Sequence, residues 1–344
     1  VSLLTQTLHE IQPLDSEAIE ATRKALARAG ASIEAIGQLG VLVLQLAGIQ
    51  RRPRPLGEQK RVLLCAADHG LASPRPTART VSPTMERVLE ILARAALVNR
   101  MAEQAGAQVH VVDVGIAAEM DPHPDLTEEK TGRGTDDATI GPAMSLMQAV
   151  MAIETGIRAC EVILNQGTRL VGVAGMGAGS VTSATAVIAA ISRRPVVEMI
   201  PEARSGGEQQ HARAVTAATR AVAANRPDAD DMLDVLSKVG GFEIGAIAGV
   251  ILEAAVRRVP VVLDGLVSAA GALLAGGLSP LAAGYMIAAH ESAGAGHRVA
   301  LQMLRLRPCL AISLPVDGGV GAALALPIVE AGAEILRWMG ARDR

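Results

Sequence analysis

The sequence predicts an α/β fold built on a doubly wound parallel sheet, and three observations predict it. From residue 62 onward, short apolar runs alternate with helical stretches. Most of these runs end in small or charged residues, among them Asp68-His69-Gly70, Asp113-Val114-Gly115 and Asp264-Gly265. The run Leu170–Ala174 leads into a turn with Gly175, Gly177 and Gly179, and then into a helix that opens on Ser180, Thr182 and Ser183. Continuous apolar runs suit strands buried on both faces, and alternation with helices makes neighbouring strands parallel. Ligands of such folds sit beyond the carboxyl ends of the strands, where these Asp, His and Gly residues collect.

Taken in order, residues 1–52 read as helices, with Asp15 or Ser16 capping a segment through Ala29 and Ser32 a second through Ile49. Arg51–Pro55 reads as a linker. The expected strands are Val62–Ala67, Val109–Val112, Leu170–Ala174, Val261–Leu263, Met286–Ala289 and Leu310–Leu314. Between them, Thr127–Asp137 is polar and reads as a surface loop, Thr139–Gln166 as one or two helices, and Gly206–Asn225 as another. Glu243–Arg258 reads as an amphipathic helix, and Gly319–Met339 as a long apolar helix that closes the chain. The expected organisation is an N-terminal helical part over 1–55, an α/β domain over 56–318, and a C-terminal segment, 319–344, returning to complete a small helical subdomain.

Composition narrows the function. Half of the 344 residues are apolar, yet Phe242, Tyr285 and Trp338 are the only aromatics, and the net charge is −3. Neither an electrostatic footprint for a phosphate backbone nor rings for stacking bases are present, which argues against a nucleic-acid partner. Cys65, Cys160 and Cys309 stand far apart without CxxC spacing, as expected of buried thiols in a reducing cytoplasm. The N-terminus lacks a basic region followed by an apolar core, so no secretory signal is expected. The uncharged runs Leu170–Ser192 and Gly265–Ala289 are broken by glycines and hydroxyls, and read as buried elements rather than membrane spans.

The glycine turn reads either as an anion site, with backbone N–H groups and a helix N-terminus facing a phosphate, or as a tight turn with hydroxyl caps and no ligand. A dinucleotide reading would use Glu198, about twenty residues on, but the glycine spacing from Gly175 does not fit. Asp68-His69 could serve acid–base chemistry or hydrogen-bond a loop. Asp264 could bind a ribose or cap the next helix. His290 and His297 could share a helix face, but no third ligand follows with metal spacing, so no metal is expected.

The segments Ala67-Asp68-His69-Gly70, Gly141-Pro142-Ala143-Met144, Gly175-Met176-Gly177, Gly240-Gly241-Phe242-Glu243-Ile244, Arg257-Arg258-Val259-Pro260-Val261-Val262-Leu263-Asp264-Gly265, Ala288-Ala289-His290 with Gly296-His297, and Gly321-Ala322-Ala323-Leu324-Ala325-Leu326-Pro327 occur in this order. Together they resemble the nicotinate-nucleotide:dimethylbenzimidazole phosphoribosyltransferases of cobamide biosynthesis. The resemblance implies a Rossmann-like α/β domain, a dimer and no cofactor. It also implies a reaction in which an aromatic base or phenol attacks C1′ of nicotinate mononucleotide, nicotinate leaves and an α-ribotide forms. Nucleotide contacts are expected from Gly175, Gly177, Gly179, Ser180, Thr182, Arg204, Ser205, Gly206 and Asp264, and an acceptor pocket from Asp68, His69 and Thr84.

The chain departs from the family's pattern at the chemistry. The family's catalytic glutamate position, three residues before Gly-Ala-Ala-Leu-Ala, is Gly318, with the shorter Asp317 beside it as the remaining candidate base. A second family glutamate is Gly175, and the Asn after the turn's last glycine is Ser180. The acceptor-lining segment has changed to Pro74–Thr80. These departures imply one subunit of a heteromeric enzyme whose glutamate-bearing partner supplies the base. The alternatives are a self-sufficient homodimer using Asp317 and a catalytically silent nucleotide-binding or regulatory homologue.

Overall fold

The computed structural model describes residues 2–51, 59–72, 82–201, 207–292, 294–314 and 318–342. The chain opens with α1 (Leu3–Glu10), α2 (Ser16–Arg28), α3 (Ile33–Ile36) and α4 (Gln38–Gln50). Asp15 caps α2, its carboxylate accepting from the Ala18 N–H at 2.8 Å. The single helix expected over 32–49 is two, because Gly37 adopts φ +56° and breaks the helical path between α3 and α4.

The α/β part follows with β1 (Lys60–Ala67), α5 (Pro83–Leu92), α6 (Leu97–Gln104), β2 (Ala107–Gly115), β3 (Leu126–Glu128), α7 (Leu146–Asn165), β4 (Leu170–Met176) and α8 (Ser180–Ser192). Then come α9 (Val196–Met199), α10 (Gly207–Asn225), α11 (Met232–Val239), α12 (Phe242–Val256), β5 (Val261–Leu263), α13 (Leu266–Leu278), β6 (Met286–Ala288), α14 (Ala295–Met303) and α15 (Val320–Arg342).

All strand pairs are parallel, in the order β3-β2-β1-β4-β5-β6. This is the doubly wound Rossmann order, and its direction reverses between β1 and β4. The alternation of side chains on β1 serves two cores. Leu63, Cys65 and Ala67 enter one layer with Val171, Val173, α7, α8, α12 and α13, whereas Val62, Leu64 and Ala66 enter the other with α4, α5, α6 and α15. With both sheet faces covered, every β1 residue except Arg61 is buried.

Several expectations are corrected. The helix read as amphipathic, α12, is instead buried along nearly its whole length, with Glu243 and Glu253 among the buried residues. It crosses α7 at backbone contact: a side chain at Gly156 would strike the Ala246 carbonyl, and one at Gly249 the Ile153 carbonyl. Leu310–Leu314 is not a strand. Leu310 makes one parallel bridge to His290, and the next residues turn out to solvent, leaving Ile312 44% exposed. The loop expected from Thr127 contains part of β3, whose half-exposed edge position suits its polar residues. The stretch 139–166 holds one long helix, α7, started by a Ser145/Gln148 capping box.

Among the described residues no helix is long and apolar enough to cross a membrane. The two uncharged runs are β4 with α8, and α13 with a 3₁₀ turn and β6. Phe242 and Tyr285 are fully buried, whereas Trp338, near the end of α15, is 45% exposed. Cys65 and Cys160 are buried and unpaired, and burial raises both thiols well above their ordinary range.

Candidate active site

The candidate site lies at the carboxyl ends of the neighbouring strands β1 and β4, where the strand order reverses. Beyond Ala67, the Asp68 carboxylate is 1% exposed and fully engaged. Its Oδ2 accepts from the Ser82 hydroxyl at 3.3 Å and the Ala117 N–H at 2.9 Å, and its Oδ1 from the Thr84 hydroxyl at 2.5 Å. One carboxylate thus ties the ends of β1 and β2 to the N-terminus of α5, where Ser82 is the cap. Thr84 carries the lacing onward, its oxygen accepting from the Ala178 N–H of the glycine turn at 2.8 Å.

The turn is pressed against β1. A Cβ at Gly177 would overlap the Ala67 carbonyl, and Gly179, at φ +96°, would place one 2.8 Å from the His69 Cβ. Only glycine permits both the close approach and the left-handed conformation. From here α8 starts at Ser180, whose hydroxyl stands 3.4 Å from His69 Nε2. That nitrogen also lies 2.8 Å from Glu243 Oε1 in the first turn of α12. His69 Nδ1 and Glu243 Oε2 are buried without a hydrogen-bond partner among the described residues. Thr182 is half-buried in the first turn of α8.

A second arm follows β5 and β6. Asp264 accepts from the Gly319 N–H through Oδ2 and the Ala322 N–H through Oδ1, both at 2.9 Å, and so caps α15. Burial raises its pKa, against the lowering by these donors and by His290. His290 is fully buried with neither ring nitrogen bonded among the described residues, and a side chain at Gly321 would strike its ring. The His297 ring is 5.7 Å away, accepting from the Ser292 N–H through Nδ1, and burial pushes its pKa down to about 3. Among the described residues no group of three or more His, Cys, Asp or Glu is placed to hold a metal ion.

Gly318 and Gly175 differ sharply in the room they offer. Gly318 adopts φ +102°, and among the described residues a Cβ there would meet only the Arg87 guanidinium, at 3.8 Å. A Cβ at Gly175 would overlap Val267 and lie 2.9 Å from Ile247 Cδ1.

A family model described as Phosphoribosyltransferase matches residues 11–344. The chain belongs to this family. It is 41% identical over 336 residues to a nicotinate-nucleotide–dimethylbenzimidazole phosphoribosyltransferase of Chloroflexus aggregans, a match covering 98% of this chain and 95% of the relative. The corresponding protein of Roseiflexus sp. is 40% identical with the same coverage. The crystal structure of the like-named enzyme from Thermus thermophilus superposes with a TM-score of 0.85 at 35% identity, covering 94% of this chain and 96% of that one.

Set against the expectations for this phosphoribosyltransferase family, Asp68, His69, Thr84, Gly177, Gly179 and Ser180 gather in one hydrogen-bonded cluster. Asp264 stands apart from this cluster at the end of β5, the strand paired with β4, where it holds the N-terminus of α15. Arg204, Ser205, Gly206, Asp317 and Pro74–Thr80 lie outside the described residues. Glu198 is exposed on α9 rather than at a strand end, which removes the dinucleotide arrangement. The sequence reading missed Ser82, Ala117 and the Glu243 partner of His69. Ser82-Pro83 was a readable signal, a capping serine followed by proline at the first helical position.

Proposed function

We propose that this chain takes part in transferring phosphoribose from nicotinate mononucleotide to an aromatic base or phenol, giving an α-ribotide for cobamide synthesis. The observation that carries the reading is the glycine turn Gly177–Gly179 at the head of α8, seated where the strand order reverses and held to β1 and α5 by Asp68 and Thr84. The phosphate sits at the N-terminus of α8 with Ser180 and Thr182, and Arg204, Ser205 and Gly206 supply the second phosphate loop. The acceptor occupies the side lined by Asp68, His69 and Thr84.

In the reaction the acceptor's lone pair forms the new bond to C1′ while the old C1′–N pair withdraws into the pyridinium ring, so nicotinate leaves without needing a proton. The acceptor's proton must pass to a base. Asp68, Glu243 and Asp264 are each committed to holding loops together, and residue 318 is glycine. This favours the chain as the supporting subunit of an unlike pair, its glutamate-bearing partner bringing the base. A homodimer relying on Asp317 is the competing reading.

The test is nicotinate release from nicotinate mononucleotide, with dimethylbenzimidazole or phenol, by the chain alone and mixed with a glutamate-bearing relative. Release only in the mixture, above the relative's own rate, supports the unlike pair. Release by the chain alone assigns the base to this chain. No stimulation under either condition defeats the catalytic reading.

A further inference from the structure

The residue facing Gly318 is a cation. Thr84 and Arg87 are three residues apart on α5 and so share a face. Thr84 bonds the glycine turn, and the Arg87 guanidinium reaches to 3.8 Å from the Cβ position of Gly318, so this one face of α5 spans both loops of the site. The helix cannot drift from this position easily, because its cap Ser82 and its first-turn Thr84 are both bonded to Asp68.

Arg87 is exposed, and among the described residues no carboxylate pairs with it. The buried carboxylates of the site are committed elsewhere: Asp68 to Ser82, Thr84 and Ala117, Glu243 to His69, and Asp264 to Gly319 and Ala322. A guanidinium with no carboxylate partner among the described residues, beside a centre that develops positive charge at C1′, opposes the reaction unless an anion neutralises it. Its planar fork of donors matches a carboxylate.

We propose that Arg87 is a binding residue for an aromatic carboxylate in this site. The inference rests on the phosphoribosyltransferase reading above and deepens it by naming a charge on the ligand. Two sources share that chemistry: the carboxylate of the nicotinate ring in the donor, and a carboxylate carried by the acceptor.

The experiment titrates four probes calorimetrically into the full chain and into Arg87→Gln and Arg87→Lys: nicotinate, nicotinamide, benzimidazole and benzimidazole-5-carboxylate. The wild type is expected to prefer an acid over its neutral analogue by about tenfold, the scale of a charge-assisted hydrogen bond. Arg87→Gln should erase the preference while leaving the neutral probe's affinity unchanged, and Arg87→Lys should keep part of it. Loss confined to nicotinate assigns the donor's carboxylate, and loss confined to the carboxylated benzimidazole assigns the acceptor's. A preference that survives in Arg87→Gln, or a wild type that does not distinguish acid from neutral probe, overturns the proposal. Turnover is measured separately, so a chain that binds acids through Arg87 but never supports nicotinate release would sink the catalytic reading and leave this one standing.

Discussion

His69 Nε2 and Glu243 Oε1 lie 2.8 Å apart with both side chains fully buried, joining the end of β1 to the first turn of α12. Removing the carboxylate strands the imidazole in a dry interior. Glu243→Ala is therefore expected to lower stability by about 1–3 kcal/mol, the scale for leaving a buried hydrogen-bonding group without its partner. Glu243→Gln keeps a hydrogen-bond acceptor and should cost less. Urea denaturation of the two variants checks the order, and equal losses would contradict it.

Thr84 holds one acceptor and one donor at once, Asp68 Oδ1 and the Ala178 N–H. Thr84→Val keeps the shape and leaves both groups unmatched, at an expected cost of about 1–3 kcal/mol. Because the glycine turn loses its tether, the KM for nicotinate mononucleotide should rise more than kcat falls. Thr84→Ser should restore both stability and KM.

Restoring carboxylates should succeed at one position and fail at the other. Gly318→Glu meets no clash among the described residues, with Arg87 alongside, but inherits φ +102°, a strain of about 1–2 kcal/mol. The variant should fold with a lower melting temperature, and it should gain nicotinate release if a base is the missing element. Gly175→Glu must displace Val267 and Ile247 and is expected to give little folded protein. Circular dichroism melts and soluble yield separate the two.

Two buried groups give opposite pH slopes. Burial lifts Glu253 from 4.5 to about 7, so the folded state binds its proton more tightly than the unfolded chain does, and stability falls as pH rises through that window. Burial, and then His290, lower His297 from 6.5 to about 3, so its contribution is lost as pH falls below 6.5. Glu253→Gln should remove the falling slope and leave the rising one, so stability at pH 8 relative to pH 5 increases compared with the wild type, and an unchanged difference would count against this assignment.

Strands β1, β4 and β5 were legible because burial on both faces makes a parallel strand a continuous apolar run. The same signal misled at Leu310–Leu314, where apolar composition stands for one bridge rather than a strand. The edge strand β3, Leu-Thr-Glu, has no apolar run to show. For α12, the charges that suggested a wet face are buried, Glu243 held by His69 and Glu253 3.6 Å from Arg257. Within the site, the glycine turn and Asp68-His69 were readable from local chemistry. The His69–Glu243 pair was not, since its members stand 174 positions apart in the chain and no spacing rule reaches so far.

The distribution of aromatic rings also decides how this protein can be watched. Its one tryptophan, Trp338, is 45% exposed near the C-terminal end of α15, while one core holds both Phe242 and Tyr285 and the other is built from aliphatic side chains and methionine. Indole emission therefore reports on the last turns of one helix rather than on the sheet or either core. A tryptophan placed at Leu89, an exposed position on α5, would put an optical probe on the helix that carries Thr84 and Arg87.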